Sequence, residues 1–268
     1  MGKVISFVSL KGGVGKTTLS ASVASELANK YNKKVLLVDA NYSAPNLGLH
    51  MDIISPKNTV HDILSASNLG VQGAIHEKYN VDIIPGNFMF EREYNVLKLK
   101  QKLINCKKNY DFIVIDSSPN VNEELISAML ASDSLFIVVT PDYPSLSCGM
   151  KMARFARQRG KEASGVIINR VLDSRYQINL EEIQETLGLP VIAMINEEKK
   201  VSRSLYERKP MPIYSKRSQF SKEIERLCSS LTGLKEKRNF FSRFRQIKKQ
   251  DVNREILRES FYRSMFDN

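Results

Sequence analysis

Leu10-Lys11-Gly12-Gly13-Val14-Gly15-Lys16-Thr17-Thr18 follows directly on the apolar run Val4-Ile5-Ser6-Phe7-Val8 and leads into good helix formers up to about Tyr31. A strand, a glycine-rich turn and a helix in that order make a recognisable phosphate cradle. Glycines leave backbone N–H groups free to converge on phosphate oxygens, because no Cβ blocks the approach and positive φ angles are accessible. The helix N-terminus adds a partial positive charge facing the same oxygens. In this arrangement Lys16 reaches the β- and γ-phosphates, the Thr17 hydroxyl ligates Mg²⁺ and Thr18 bonds an α-phosphate oxygen. Gly12, Gly13, Val14 and Gly15 supply the backbone of the cradle. A glycine turn without a ligand would not need the strand before it and the helix after it. One departure is visible: the position usually held by the first glycine is Leu10, and a second lysine, Lys11, follows it.

Outward from this loop, short apolar runs alternate with helical patterns. Val35–Val38, Val81–Ile84, Phe112–Ile115, Leu135–Val139, Gly165–Ile168 and Val191–Met194 read as strands. Several are continuously apolar, as expected of strands covered on both faces. Helical patterns fall around 93–105, 121–131, 145–159, 179–187 and 197–208. Pro210 and Pro212 mark a break before a last helix, about 215–231, which Thr232-Gly233 stops. The rhythm predicts an α/β fold, a mostly parallel central sheet flanked by helices on both faces. Residues 1–232 are expected to form one domain and 233–268 a basic amphipathic tail.

Composition narrows the class. The 268 residues are 26% charged and 42% apolar, which suits a globular protein and excludes a disordered or fibrous one. No apolar run is long enough to span a membrane as a helix. The first ten residues are too soon interrupted by Lys11 for a secretory signal. Cys106, Cys148 and Cys228 are odd in number and far apart. They form neither a disulfide framework nor a CxxC pair, so a reducing, cytoplasmic setting is expected. The net charge is +11, yet residues 1–194 carry only +2, and 195–268 carry +9. That asymmetry points to an anionic partner or to a solubilising surface.

The string Lys11-Gly12-Gly13-Val14-Gly15-Lys16-Thr17-Thr18 resembles the deviant Walker A motif of the MinD/ParA family of ATPases. The blocks Val35–Leu49, Asp111–Pro119 and Gly165–Arg170 support the resemblance in order and spacing, over most of residues 1–232. The resemblance implies a P-loop fold, ATP and Mg²⁺ as ligands, ATP hydrolysis, and a homodimer formed with ATP. It implies that Lys11 reaches across the dimer to the partner's phosphates, where a cation supplied in trans stabilises the transferring phosphoryl group. Asp39, at the end of its strand, opens a segment that resembles the family's first switch, usually Asp-x-Asp. The second aspartate of that pattern orients the attacking water; here the position is Asn41. An amide accepts no proton as a carboxylate does, although its oxygen can hold a water. Slow or partner-stimulated hydrolysis is therefore expected, with Asn41 as a plain turn residue the alternative.

Asp116, after the run Phe112–Ile115, resembles the Walker B aspartate. Thr17, Asp39 and Asp116 form the candidate magnesium set; a helix N-cap is the competing role for Asp116. By resemblance, Asn169 contacts the adenine edge, with Arg170 beside it. The acidic residues Glu197-Glu198 follow Asn196 where the family often has a proline, which leaves the base contacts there open. The segment Thr140–Pro144 falls at a strand end and receives no role. No guanine signature of the Asn-Lys-x-Asp kind is present, which favours ATP.

The stretch Lys235–Lys249, KEKRNFFSRFRQIKK, carries a net +6. At helical spacing Phe240, Phe244 and Ile247 share an arc with Phe241 beside it, while Arg238, Arg245 and Lys249 face away. That pattern fits a helix lying in an anionic membrane surface, and it resembles the C-terminal targeting helix of the MinD branch. Residues 251–268 hold a second pattern, with Leu257, Phe261 and Met265 four apart; it could bind a partner, extend the membrane contact or pack back on the domain. Together these features predict an ATP-dependent dimerisation switch that positions or partitions cellular machinery. It would attach reversibly to the membrane from the cytoplasm and respond to a protein activator or cargo. The alternatives are a ParA-like partition ATPase on nonspecific DNA and a nucleotide-binding scaffold with little hydrolysis. An iron–sulfur carrier would need paired cysteines near the switches or tail, and none are present.

Overall fold

The computed structural model describes residues 1–65, 69–172 and 176–234. The tail segment 235–249 and the pattern at 251–268 lie outside the described residues. In chain order the elements are β1 (Lys3–Val8), α1 (Lys16–Asn29), β2 (Val35–Ala40), α2 (Leu47–His50), α3 (Val60–Leu64), β3 (His76–Lys78) and β4 (Val81–Ile84). Then come α4 (Leu99–Ile104), β5 (Phe112–Ser117), α5 (Glu123–Ala131), β6 (Ser134–Val139), α6 (Tyr143–Arg157) and β7 (Ala163–Val171). The last are α7 (Leu180–Leu187), β8 (Val191–Asn196), α8 (Lys199–Tyr206), α9 (Met211–Tyr214) and α10 (Gln219–Leu231).

One eight-stranded sheet runs in the order β3-β4-β2-β5-β1-β6-β7-β8. All neighbours are parallel except β3 and β4. Continuous apolar strands are buried on both faces, and alternate residues feed separate cores. Ile5 and Phe7 of β1 pack with Val114, Phe136 and Ile167 under Leu19, Val23 and Leu27 of α1 and Ile224 and Leu227 of α10. Val4 packs with Leu36, Val38, Ile113 and Ile115 beneath Leu99 and Leu103 of α4 and Ala128 of α5. Val8 joins Ile137, Val139 and Ile168 beneath α5, α6 and α7. Each large side chain so buried contributes roughly 1.5–3 kcal/mol.

The chain leaves β1 for β2 and β4 on one side, then crosses to β6, β7 and β8 on the other. Such reversals open a crevice at the carboxyl ends of the strands. β1 sits between β5 and β6, so the glycine loop that follows it lies at that crevice.

Several sequence expectations shift in detail. β2, β5 and β8 each run two residues past the apolar cores, so Asp116 lies within its strand rather than after it, and Asp39 lies one residue short of the end of its strand. β7 extends past the apolar run to Val171, so Asn169 and Arg170 sit inside it, at a register irregularity between Ile168 and Val171. α1 ends at Asn29, and the expected helix at 93–105 is a 3₁₀ turn, Val96–Lys98, followed by the short α4. The region of Pro210 and Pro212 is not a plain break: Pro210 caps the short helix α9, and α10 begins only at Gln219. α10 does stop at Thr232-Gly233, where the Leu234 amide donates back to Ser229 O at 3.0 Å and Gly233 turns left-handed at φ 71°.

Candidate nucleotide site

The loop after β1 has the backbone that a phosphate cradle requires. Gly13 and Gly15 adopt φ of 75° and 95°, the left-handed region that L side chains rarely enter. Gly15 is the N-cap of α1, where no side chain caps the helix and no acidic residue occupies the first turn. The first amides of a 14-residue helix are thus left for an anion. Lys16 is buried at the start of this helix. Burial pushes its amine below the usual lysine range, opposed by the charge of Asp116.

Two carboxylates lie on neighbouring strands. Asp39 of β2 and Asp116 of β5 are directly opposed in the strand register, and both are fully buried. Burial raises Asp39 well above the usual carboxylate range, and the neighbouring Asp116 raises it further. Burial also raises Asp116, against a bond from the Thr17 hydroxyl and the charge of Lys16. Asp116 Oδ1 lies 3.4 Å from Ser20 Oγ, while Oδ2 is buried and has no hydrogen-bond partner among the described residues. Asp39 spends both oxygens on the following loop: Oδ1 accepts from the Asn41 amide and Oδ2 from the Leu47 amide, each at 3.1 Å. An orphaned oxygen on Asp116, beside Thr17 and a second carboxylate, fits a hydrated divalent cation. No cluster of three or more His, Cys, Asp or Glu able to hold a metal exists among the described residues. A cation here would therefore draw most of its ligands from phosphate and water, as magnesium does.

Asn41 is buried, and its Nδ2 donates to Ala44 O at 2.7 Å, closing a turn with the Ala44 amide on Asn41 O at 3.3 Å. The side chain thus serves the turn and presents Oδ1 as its remaining acceptor.

Lys11 turns to the segment that follows β6. Its Nζ meets Asp142 Oδ1 at 2.9 Å, Asp142 Oδ2 at 3.0 Å and Thr140 Oγ1 at 3.4 Å. Although partial burial pushes the Asp142 carboxyl up, bonds from Thr140 and Lys11 hold it below its usual range. Asp142 also caps α6, accepting from the Ser145 amide at 2.9 Å. Thr140 and Asp142 are site residues that sequence reasoning left without a role. The signal available was an Asp at a strand end before a Pro-containing helix start, which also describes an ordinary N-cap.

Asn169 reaches the loop from β7: its Nδ2 donates to Val14 O at 2.7 Å, and a Cβ on Gly15 would overlap that amide nitrogen. Asn169 stands at the irregularity in β7, a common use of bulges at sites, and the next residue, Arg170, has a positive φ of 58°. Arg170 itself is exposed and faces Glu197, with Nε 3.6 Å from Oε2. The structure brings Lys11, Lys16, Thr17, Asp39, Asp116 and Asn169 to one crevice.

Known proteins agree with this architecture. Residues 2–162 match the AAA domain family. An uncharacterized ATP-binding protein of Methanocaldococcus jannaschii is 30% identical, over 91% of this chain and 96% of that protein. A virulence plasmid ParA family protein of Chlamydia psittaci is also 30% identical, over 85% of this chain and 94% of that protein. Among solved structures, the septum site-determining protein MinD of Pyrococcus horikoshii, complexed with Mg-ADP, superimposes with a TM-score of 0.80. It shares 30% identity and covers 85% of this chain and 95% of its own. By its loop, its sheet order and these relatives, the chain belongs to the MinD/ParA family of P-loop ATPases.

Proposed function

We propose that this protein is an ATP-hydrolysing dimerisation switch that positions or partitions cellular machinery. The observation that carries the reading is the pair of lysines on one loop. Lys16 is buried at the helix start, and the partly exposed Lys11 is held on Asp142 and Thr140. One cation serves the chain's own phosphates, and the other is available to a second copy. The backbone of Gly12–Gly15, Lys16 and Thr18 hold the triphosphate, with Asn169 and Arg170 at the base. Asn41 Oδ1 orients a water whose attack on the γ-phosphorus forms a P–O bond as the bond to ADP breaks. Thr17, Asp116 and Asp39 would hold magnesium, which would neutralise phosphate charge. An amide in place of a carboxylate at position 41 makes slow turnover, raised by a partner protein, the natural outcome.

Membrane attachment through 235–249, a tail separate from the domain 1–232, completes this reading. Its support is the basic, aromatic pattern of that segment. No helix among the described residues is long and apolar enough to cross a membrane. Each basic residue near an anionic surface adds up to about 1 kcal/mol. Two tails in one dimer gain by effective concentration, so ATP would control attachment. A second reading, nonspecific DNA, is favoured by a different surface: Lys199, Lys200, Arg203, Lys216 and Arg217 are all exposed around α8 and the approach to α10.

Light scattering on the full chain with ATP and with ADP tests the switch. A dimer with ATP alone, absent in Lys11→Ala, supports it; a monomer at every concentration tested with ATP refutes it. Sedimentation with anionic vesicles or with duplex DNA then separates the two surfaces.

A further inference from the structure

The loop that carries Asn41 is held from outside the phosphate site as well as from within it. Within, Asp39 accepts from the amides of Asn41 and Leu47. Outside, the Ser43 amide donates to Glu124 Oε1 at 2.9 Å, and Tyr42 Oη lies 3.5 Å from Ser127 Oγ. Both partners belong to α5, the helix that follows Asp116 in the chain. The bond from Ser43 to Glu124 thus joins the segments that leave β2 and β5, the two strands bearing the opposed carboxylates.

Glu124 is only 8% exposed, and its Oε2 is buried without a hydrogen-bond partner among the described residues. A buried carboxylate with one hydrogen bond is an expensive way to fill space. Its neighbour Glu123, equally placed to favour the helix N-terminus, is exposed and touches nothing in the loop network. Helix electrostatics alone therefore does not account for the position of Glu124. The engaged oxygen faces an exposed residue, Ser43, whose amide would otherwise be left to water. This contact therefore restrains the loop rather than filling the core.

We infer that Glu124 is a positioning residue that sets the Asn41–Asn46 loop against the phosphate site. It makes the loop after β2 and the segment after Asp116 move together. This deepens the proposed function and rests on it for its effect on turnover. The role needs an acceptor and not a charge. Oε2 has no partner, so Glu124→Gln removes no hydrogen bond, whereas Glu124→Ala removes the acceptor.

Two readouts on the full chain test this. In the nucleotide-free protein, amide hydrogen exchange over residues 41–46 should rise roughly ten-fold in Glu124→Ala and stay near the parent rate in Glu124→Gln. Exchange in β1 and β5 should stay unchanged in both. With Mg-ATP, Glu124→Ala should lower kcat roughly five- to ten-fold with the affinity for ADP intact, and Glu124→Gln should restore it. Unchanged exchange in Glu124→Ala overturns the inference. So does Glu124→Gln behaving like Glu124→Ala, which would make charge the requirement, or a uniform rise across the core, which would make the effect global instability. If the parent protein hydrolyses no ATP, the proposed function falls, and the exchange experiment still decides the loop-setting role.

Discussion

Replacing Gly15 by alanine should damage the phosphate loop in two separable ways. The left-handed backbone at φ 95° costs an alanine about 1–2 kcal/mol. The new methyl also meets Asn169 Nδ2, which must leave Val14 O and give up a 2.7 Å bond, for about 1 kcal/mol more. Gly15→Ala should therefore cost about 2–3 kcal/mol, and Asn169→Ala about 1 kcal/mol through the same bond. In the double variant the bond is lost once and the overlap is gone, so the total stays at about 2–3 kcal/mol, about 1 kcal/mol short of additive. Urea unfolding of the four proteins measures this cycle, and Mg-ATP titration of each reads the loop directly. Strict additivity would mean that Asn169 does not meet Gly15, and normal nucleotide affinity in Gly15→Ala would mean that the loop's conformation is not what binds phosphate.

Asp142→Asn keeps an acceptor for the Ser145 amide but removes the charge that holds Lys11. Both partners are partly exposed, so the pair is worth about 0.5–1 kcal/mol. ATP-dependent self-association should tighten two- to five-fold in sedimentation equilibrium, and high salt should erase the difference. His61 donates through Nε2 to Tyr42 O at 3.0 Å and accepts through Nδ1 from the Asn87 amide at 3.1 Å, which only the neutral ring can do. Burial holds its pKa below the ordinary 6.5, against its bond to Tyr42 and the charges of Asp62 and Glu124, so its contribution is whole above pH 6.5 and is lost as pH falls through the lowered value. His61→Phe should flatten that acid limb of the unfolding free energy in urea by about 1 kcal/mol, the worth of the Asn87 bond. Burial raises Glu26 of α1 to about 7, against the pull of Lys30. Its stability contribution is whole below the ordinary 4.5 and is lost as pH rises from there through about 7, so Glu26→Gln should gain over the parent in thermal melts at pH 8 and match it only below pH 4.5.

The central strands were legible because burial on both faces leaves an uninterrupted apolar run, as in Leu135–Val139. β3 was not: His76-Glu77-Lys78 is a polar edge strand, antiparallel and three residues long, with nothing in its pattern to distinguish it from a loop. α2 and α9 have four residues each and α3 five, too few for a helical period to register. The phosphate loop was legible because its chemistry is contiguous. What faces it is not: Lys11 meets Asp142 across 131 positions, and Asn169 meets Val14 across 155. Glu124 was hidden for another reason. Beside Glu123 in a first helical turn it reads as a response to the helix dipole, and only the fold puts Ser43 against it.

The claim on which the rest depends is that the Leu10–Thr18 loop binds a nucleotide triphosphate with magnesium. Isothermal titration of the full chain with Mg-ATP measures it, beside Lys16→Ala and Asp116→Asn. One saturable site per chain is expected, lost in Lys16→Ala and insensitive to magnesium in Asp116→Asn. Absence of saturable binding, or equal binding by Lys16→Ala, would contradict it.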